Sequence, residues 1–243
     1  MKRISRAAIC WVFTAVTLSG CAQEQHVYSA DPVYARVVDA GTGKPLEGVA
    51  VVAYWELYRG SLTGDGMPCA AANVQETVTD KEGWFHIPGW GPVKGACGVM
   101  RNMNPFVYLF KPGYGYLRKA GGIGLNSSKP VSVAQVDWNG QTIKLSRFSN
   151  PDLTASGPHT YQDNFLILNA DLSMFITYMP TQCNWKKIPV TLQLIALQVR
   201  EFSRALGYPL TSIISQLESN DQYFQKVAPH CGSPKQFIKG LRI

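Results

Sequence analysis

The first half of the chain alternates between apolar and polar positions in short runs separated by turns. These runs are rich in β-branched and aromatic residues and lie at 33–39, 48–58, 74–80, 84–87, 105–111 and 141–148. Alternation with a period of two predicts β-strands, and the Gly- and Pro-containing stretches between them predict turns. Because no helical periodicity interrupts the series, the pattern favours an antiparallel β-sandwich over a sheet with helical crossovers.

The longest of these runs has two apolar faces. One face of strand 48–58 carries Val49, Val51, Ala53, Trp55 and Leu57, and the other carries Ala50, Val52, Tyr54 and Tyr58, interrupted by Glu56. A strand that is apolar on both faces needs cover on both. We therefore expect a second layer of structure on the outer face of this sheet.

The second half of the chain has helical periodicity. A first apolar face comprises Leu192, Ile195, Val199, Phe202 and Leu206, and a second comprises Ile213, Ile214, Leu217 and Phe224. Spacings of three and four residues are typical of one face of an α-helix, and Gly207 and Pro229 suit the two helix ends. The pattern predicts a helical hairpin. The apolar segment 165–179 before it fits either a strand or a helix.

We expect residues 165–243 to form a helical appendage that packs on the outer face of the sandwich. The sandwich itself is assigned to 33–148, and 149–164 has the Ser, Pro and Gly content of a linker. Two separable domains joined by this linker are the alternative.

Composition and charge identify the N-terminus as a targeting segment. The chain of 243 residues is 46% hydrophobic and 16% charged, which excludes disorder throughout, and no later apolar run is long enough for a polytopic membrane protein. Three basic residues precede an apolar run at 7–18, a length typical of a signal peptide. Without that segment, 20 basic residues face 16 acidic ones. The remaining charge of +4 is too weak and scattered to indicate nucleic-acid binding.

The segment ends in Leu18-Ser19-Gly20-Cys21, which resembles the lipobox of bacterial lipoproteins. The resemblance implies that residues 1–20 are removed, that the Cys21 thiol is diacylglycerylated, and that the new amine is acylated. Several acyl chains hold a protein on a membrane far better than one. Ala22, the residue after the cysteine, resembles the signal that directs a lipoprotein to the outer membrane. We expect residues 21–32 to form a tether. A plain secretory signal with an accidental cysteine is the alternative.

Four cysteines remain after Cys10 and Cys21 are assigned to the signal and the anchor. They are Cys69, Cys97, Cys183 and Cys231. An even number in an exported chain favours two disulfides, and three pairings are possible. We favour Cys69–Cys97 and Cys183–Cys231, because each pair closes a loop within one region. A zinc site is disfavoured because no C-x-x-C pair is present.

Several motifs of the first half resemble the carboxypeptidase regulatory-like domain. They are Val37-x-Asp39-x-x-Thr42-Gly43-x-Pro45-Leu46-x-Gly48-Val49-x-Val51, then Thr79-Asp80-x-x-Gly83-x-Phe85-x-Ile87, then Pro112-Gly113-Tyr114. The resemblance covers about residues 33–148 and implies a transthyretin-like antiparallel sandwich of about seven strands. It is not specific for function, because the family is an accessory module found beside unrelated domains. The insertions at 59–73 and 88–104 depart from the family pattern.

Motifs of known hydrolases are absent from the sequence. None of His26, His86, His159 and His230 begins an H-x-x-E pair, and no G-x-S-x-G, S-x-x-K or nucleotide-binding glycine motif appears. A nucleophile–base pair of Cys231 with His230 is less favoured than a disulfide. We interpret His86 as a structural residue of the sandwich whose polar atoms have partners. We interpret residues 80–82 as a solvated hairpin tip rather than a cation site. We therefore predict no catalytic residues, no metal and no cofactor, and a protein that is not an enzyme.

The most distinctive candidates for a binding surface are aromatic residues that are flanked by glycine. Trp90 lies in Gly89-Trp90-Gly91, and Tyr114 and Tyr116 lie beside Gly113 and Gly115. Clustered aromatic side chains could stack on sugar rings or anchor a protein partner. The alternative is that they pack at the edge of the sandwich.

The sequence therefore predicts a lipid-anchored protein of the bacterial envelope, on the outer membrane and facing the periplasm or the cell surface. Its expected role is binding or structural, through a protein partner that contacts the helical hairpin and the adjoining sheet. A glycan-binding module that uses Trp90, Tyr114 and Tyr116 is a second hypothesis. A hydrolase of unfamiliar type is a third.

Overall fold

The structure is a computed structural model that describes residues 26–59, 67–100, 105–119, 133–134, 136, 138–148, 161–177 and 179–241. The predicted signal peptide, Cys21 and most of the predicted linker lie outside these residues. The strands are β1 (Val27–Ala30), β2 (Val33–Asp39), β3 (Ala50–Arg59), β4 (Met67–Val78), β5 (Trp84–Ile87), β6 (Trp90–Lys94), β7 (Val99–Met100), β8 (Phe106–Phe110), β9 (Leu117–Lys119), β10 (Val133–Ala134) and β11 (Thr142–Leu145). The helices are α1 (Tyr161–Thr177), α2 (Pro189–Leu206), α3 (Ile213–Ser219), α4 (Asp221–Val227) and α5 (Pro234–Gly240).

Two sheets face each other as a sandwich. One has the order β4-β3-β8-β9 with β7 also paired to β3, and the other has the order β11-β2-β5. Apolar side chains from both sheets form one buried cluster between them, which includes Val37, Val51 and Leu109. This arrangement confirms the predicted fold class of a β-sandwich followed by helices. The sandwich is mixed rather than purely antiparallel, because β11 pairs with β2 in parallel.

A third, small sheet extends the sandwich with the order β10-β1-β6. β1 falls within the predicted tether at 21–32, and β6 falls within the insertion at 88–104. The sequence signal missed both, because each strand is short and only partly apolar. Tyr28 of β1 is nevertheless buried, and its hydroxyl donates to the carbonyl oxygen of Gly98 at 3.3 Å.

The helices cover the outer face of the β4-β3-β8-β9 sheet. A second buried cluster joins Val52, Tyr54 and Tyr108 of this sheet to α1 through Leu172 and Phe175. Burial of such a side chain stabilises the fold by about 1.5–3 kcal/mol. β3 is therefore covered on both faces, as its two apolar faces require.

The helical appendage is larger than a hairpin. Residues 165–177 of the ambiguous segment belong to α1, which begins at Tyr161, inside the predicted linker. The predicted second helix of the hairpin is divided at Asn220 into α3 and α4. In the described residues, no helix is both long enough and apolar enough to cross a membrane.

Glu76 of β4 ties the sheet to the start of α2. Its two carboxylate oxygens accept hydrogen bonds from the backbone N–H groups of Val190 at 2.9 Å and Thr191 at 2.7 Å. These N–H groups have no partner within the helix, because they belong to its first turn. A side chain from the sheet thus performs the capping that no residue next to the helix provides.

Candidate functional site

The three glycine-flanked aromatic residues do not form a common platform. Tyr114 is 6% exposed and belongs to the buried cluster inside the sandwich. Tyr116 packs against the other cluster, under the helices. Since the two tyrosines lie in separate clusters on either side of one sheet, they cannot present one stacking surface with Trp90. The structure therefore does not bring Trp90, Tyr114 and Tyr116 together on one exposed surface.

Each of these aromatics has a local structural partner instead. The Tyr114 hydroxyl donates to Asp39 Oδ2 at 3.1 Å, and the Tyr116 hydroxyl donates to Asp171 Oδ2 at 2.6 Å. The Trp90 ring packs edge-on against Trp55, with 5.2 Å between the ring centroids. Glycine neighbours were a misleading signal, because they let the chain bend the rings back onto the protein.

Both predicted disulfides are present. Cys69 is bonded to Cys97 and Cys183 to Cys231. His230 lies beside Cys231, with 3.6 Å between its Nε2 and the sulfur. Because that sulfur is in a disulfide, it is neither a thiolate nucleophile nor a thiolate metal ligand.

The two remaining polar motifs lie at the surface. Asp80 Oδ1 accepts from the backbone N–H groups of Glu82 at 3.0 Å and Trp84 at 2.8 Å, which closes the hairpin turn. His86 is exposed rather than enclosed in the sandwich, and its ring stacks on Tyr34. His86 lies in β5, as its predicted strand requires, and its position in the strand alternation points outward.

A buried tyrosine network lies where α1 meets the sheet. The hydroxyls of Tyr54 and Tyr108 are 3.1 Å apart, and the Tyr116 hydroxyl is bonded to Asp171. Arg118 Nη1 lies 3.3 Å from Asp171 Oδ1. Burial is the main cause that raises the pKa of all three tyrosines, which favours their protonated phenols. Tyr116 donates to Asp171, whereas in the Tyr54–Tyr108 pair one hydroxyl donates and the other accepts.

Glu56 lies on the same strand face as Tyr54. The Tyr58 hydroxyl donates a hydrogen bond to its carboxylate. Burial raises the pKa of Glu56, and the Tyr58 hydrogen bond and the charge of Arg118 partly oppose this shift. The contacts that reach α1 are those of Tyr116 and Arg118 with Asp171, and they hold α1 on the sheet.

Among the described residues, a groove in the helical appendage offers a concave site. It has a volume of about 430 Å³ and lies between α2, α3, α5 and the loop after α2. Its floor is mainly apolar and its rim is charged. The floor comprises Ala196, Val199, Leu210, Ile214 and Ile238, and the rim comprises Arg200, Glu218, Lys235 and Lys239.

Local capping interactions hold the walls of this groove in place. Ser212 and Ser215 form a capping box at the start of α3, and Leu210 N–H donates to Ser203 Oγ at 3.1 Å. Asp221 Oδ1 accepts from Ser233 Oγ at 2.6 Å and from the Lys235 backbone N–H at 3.0 Å. The second contact sets the start of α5 and hence the position of Lys235.

The charge of the groove rim is predominantly positive. Arg200, Lys235 and Lys239 are exposed, and Glu218 is the one acidic residue of the rim. A half-open apolar floor with a cationic rim suits an amphipathic ligand that carries negative charge.

Sequence reasoning placed a protein contact on the helices but did not find this groove. The helical periodicity identified Val199 and Ile214 as members of apolar faces. It could not show that these side chains line a groove and are only half-buried. Exposed apolar residues elsewhere in the appendage add to the same surface character: Leu166 is 43% exposed, Ile167 54% and Met174 57%.

The comparisons with known proteins identify no family. No protein-family model matches the chain, and no curated protein sequence matches it.

The structure has weak similarity to several solved structures, of which three are described. A streptococcal ancillary pilin is 14% identical over 52% of this chain and 31% of the pilin, with a TM-score of 0.25. The pilus 2b backbone protein of group B streptococcus is 15% identical over 49% of this chain and 42% of its own, with a TM-score of 0.25. The 3-chlorocatechol 1,2-dioxygenase of Rhodococcus opacus 1CP is 16% identical over 52% of this chain and 62% of the enzyme, with a TM-score of 0.29.

The expectation that this protein is not an enzyme is contradicted. Dioxygenases stand among the structural neighbours beside the pilins, and two further dioxygenases have TM-scores of 0.26 and 0.25. This chain spans less than two thirds of the pilins and of the Rhodococcus enzyme. At such TM-scores the likeness assigns neither a reaction nor a pilus role to this chain, and the expectation of a non-enzyme is withdrawn.

Proposed function

We propose that this protein is anchored by lipid at Cys21 in the bacterial outer membrane and binds a protein partner through the groove of its helical appendage. The observation that carries the proposal is the groove between α2, α3 and α5, with its half-buried apolar floor and cationic rim. A site of this kind exposes apolar surface that a partner would remove from water.

The chemistry of the groove defines the partner. Val199, Leu210 and Ile214 offer an apolar floor, and three cations face one carboxylate at the rim. An amphipathic helix places its apolar face in such a groove. The side chains that enter the groove recur along the helix at spacings of three and four residues. We therefore propose an acidic amphipathic segment of another envelope protein as the occupant.

Photo-crosslinking in living cells tests this partner. A photo-crosslinking residue at Glu218, on the rim, is compared with the same residue at Gln225, an exposed position of α4 outside the groove. We expect a crosslinked product from the first position and not from the second. Mass spectrometry of the product should place the crosslink in an acidic amphipathic segment.

Charge reversal provides the matched control. The double variant Lys235→Glu with Lys239→Glu should abolish the crosslink at position 218, and Lys235→Arg with Lys239→Arg should retain it. Equal crosslinking at 218 and 225, or a crosslink that survives charge reversal, would rule out the proposed mode of binding. A product of twice the mass of the chain would identify a second copy as the occupant and would also contradict it.

The anchor is tested separately. Leu18-Ser19-Gly20-Cys21 supports cleavage before Cys21 and acylation of the new N-terminus. Intact mass and membrane fractionation of the wild type and Cys21→Ser should show acyl mass and membrane attachment in the wild type only. A soluble wild type with unmodified Cys21 would contradict the anchor and leave the groove proposal standing.

We also propose a carboxypeptidase regulatory-like origin for residues 33–148. The motif residues support it by their structural roles: Asp39 and Asp80 each accept backbone hydrogen bonds within a turn. Gly83 has a φ of +81°, and a Cβ atom there would lie 2.4 Å from the Val37 carbonyl oxygen. If a sequence model of the carboxypeptidase regulatory-like domain also fails to match close homologues of this chain, that result would count against this origin.

A further inference from the structure

The outward face of the β11-β2-β5 sheet carries an exposed aromatic and cationic surface. The inward residues of these strands, such as Val37, Phe85 and Ile143, fill the sandwich core. Strand alternation places the intervening residues on the other side. We call this side the outer aromatic face and define it by Tyr34, Arg36, Trp84, His86 and Lys144.

The aromatic rings on this face are set by strand register. Tyr34 lies directly opposite His86, and their rings stack at 7° with 4.4 Å between the centroids. Arg36 lies directly opposite Trp84. Tyr34 is 46% exposed and Trp84 42% exposed, so both present large apolar surfaces to water. Because β-sheet backbones hold them, these rings need little further ordering to bind a flat ligand.

The charge of the outer aromatic face is positive. Arg36 Nε donates to the Glu82 carbonyl oxygen at 2.9 Å, which orients the guanidinium group. Lys144 is exposed on β11, one outward position beyond Thr142, the residue paired with Arg36. No carboxylate occupies an outward position on the three strands, and the Glu82 carboxylate at the hairpin tip lies 3.6 Å from Lys81 Nζ.

The two outer faces of the sandwich differ in their cover. On the β4-β3-β8-β9 sheet, the outward aromatics Tyr54 and Tyr108 are buried beneath α1. On the β11-β2-β5 sheet, the described residues leave the outward aromatics exposed. An aromatic surface without cover, next to cations without a carboxylate partner in the described residues, has the character of a binding surface.

We propose that the outer aromatic face binds an acidic polysaccharide. The rings of Trp84 and of the Tyr34–His86 pair would stack on the apolar faces of successive sugar rings. Arg36 and Lys144 would pair with the carboxylates of uronic acid units. A flat surface with few aliphatic side chains suits such a chain better than it suits a protein helix, which needs a groove. The site is independent of the groove in the helical appendage.

Binding to immobilised polygalacturonate tests the proposal, with immobilised dextran as the uncharged counterpart. The full-length protein is measured in detergent. We expect binding to polygalacturonate that weakens with rising salt, and much weaker binding to dextran. Trp84→Ala should weaken polygalacturonate binding by about tenfold, and Arg36→Gln with Lys144→Gln by at least as much.

Tyr223→Ala is the matched control, because Tyr223 is a 52% exposed tyrosine of α4 that lies on another surface. It should leave binding unchanged, and thermal unfolding should show that all variants are folded. Unchanged binding in Trp84→Ala would overturn the proposal, because it would leave only non-specific attraction by cations. A concentration-dependent dimer that Trp84→Ala abolishes would also overturn it, because a second copy would then cover this face.

Discussion

Tyr114 donates a hydrogen bond to Asp39 at 3.1 Å and thereby joins the turn after β2 to the loop after β8. Asp39 also accepts from the backbone N–H groups of Gly41 at 2.9 Å and Thr42 at 2.8 Å. One carboxylate therefore closes its own turn and holds a second connection of the sandwich. Both residues belong to the motifs that resemble the carboxypeptidase regulatory-like domain. Tyr114 is also one of the three aromatic residues that the sequence predicts as ligand-binding candidates.

The first prediction concerns the pH dependence of stability. The hydrogen bond from the Thr42 backbone N–H is the main cause that lowers the pKa of Asp39, and burial opposes it. A carboxyl group whose pKa is lowered by folding stabilises the fold above its unfolded pKa of about 3.9, and this contribution is lost as the pH falls through the folded pKa. We expect Asp39→Asn to be less stable than the wild type near neutral pH. The difference should shrink below about pH 4.

Urea unfolding at a series of pH values measures this effect. Glu82→Gln is the control, because Glu82 is an exposed residue at a hairpin tip. It should show no comparable change with pH. A stability difference for Asp39→Asn that stays constant down to about pH 2 would contradict the assigned role of the carboxylate.

The second prediction concerns Glu76, which caps α2 from the sheet. Removal of the carboxylate in Glu76→Ala leaves the N–H groups of Val190 and Thr191 without this partner, and we expect a loss of about 1–3 kcal/mol in the free energy of unfolding. Glu76→Gln should lose less. Its amide oxygen still accepts a hydrogen bond, and burial, which raises the pKa of Glu76, disfavours the charge that the variant removes.

Chemical denaturation of the two variants checks this order. If Glu76→Ala is as stable as the wild type, the contact between β4 and α2 contributes nothing to the fold. A near-ultraviolet circular dichroism spectrum should show that Glu76→Gln keeps the packing of the aromatic cluster beneath the helices.

The third prediction concerns the buried hydroxyl pair of Tyr54 and Tyr108. Either single change to Phe leaves one hydroxyl without the other, and we expect each to cost about 1–2 kcal/mol. The double change to Phe should cost clearly less than the sum of the two, because it removes both polar groups together. A double-mutant cycle by urea unfolding measures this coupling. Strict additivity would contradict a hydrogen bond between the two hydroxyls.

The fourth prediction concerns the disulfide between Cys183 and Cys231, which closes a loop with a sequence separation of 48 residues. The chain-entropy account gives about 4 kcal/mol for a loop of this length. We expect Cys183→Ala with Cys231→Ala to lower the thermal midpoint strongly, because Cys231 is also fully buried beneath the helices.

Cys69→Ala with Cys97→Ala provides the comparison. This pair closes a shorter loop, with a separation of 28, and both of its cysteines are only partly buried. Its loss should therefore be the milder of the two. A larger loss of stability in this second variant would contradict the assignment of Cys183–Cys231 as the main covalent support of the helical appendage.

Local sequence patterns predicted much of the fold but little of the site. Strand and helix periodicity depends only on neighbours along the chain. It placed Val51 and Val52 on the two apolar faces of one strand, and Leu192 and Ile195 on one face of a helix. All four residues are buried, as these patterns indicate. The short strands β1 and β6 escaped detection, because their pairing with each other sets them more than their own composition does.

The candidate sites depend on contacts between distant parts of the chain. Whether an aromatic residue faces water is decided by what packs on it: Tyr54 and Trp84 both point away from the sandwich core, and only Tyr54 lies beneath a helix. No local pattern distinguishes these two cases.

The sequence by itself determined the class of fold and the need for cover on both faces of β3, and it favoured the two disulfide pairs that the structure contains. These follow from side-chain periodicity and from the number and positions of the cysteines, which are properties of the chain before it folds. Only the tertiary structure decided that Tyr114 is internal, that Trp84 and Tyr34 are exposed, and that α2, α3 and α5 enclose a groove. The reason is that exposure and concavity arise where separate elements meet, and the angles and distances between elements are not encoded in any single segment.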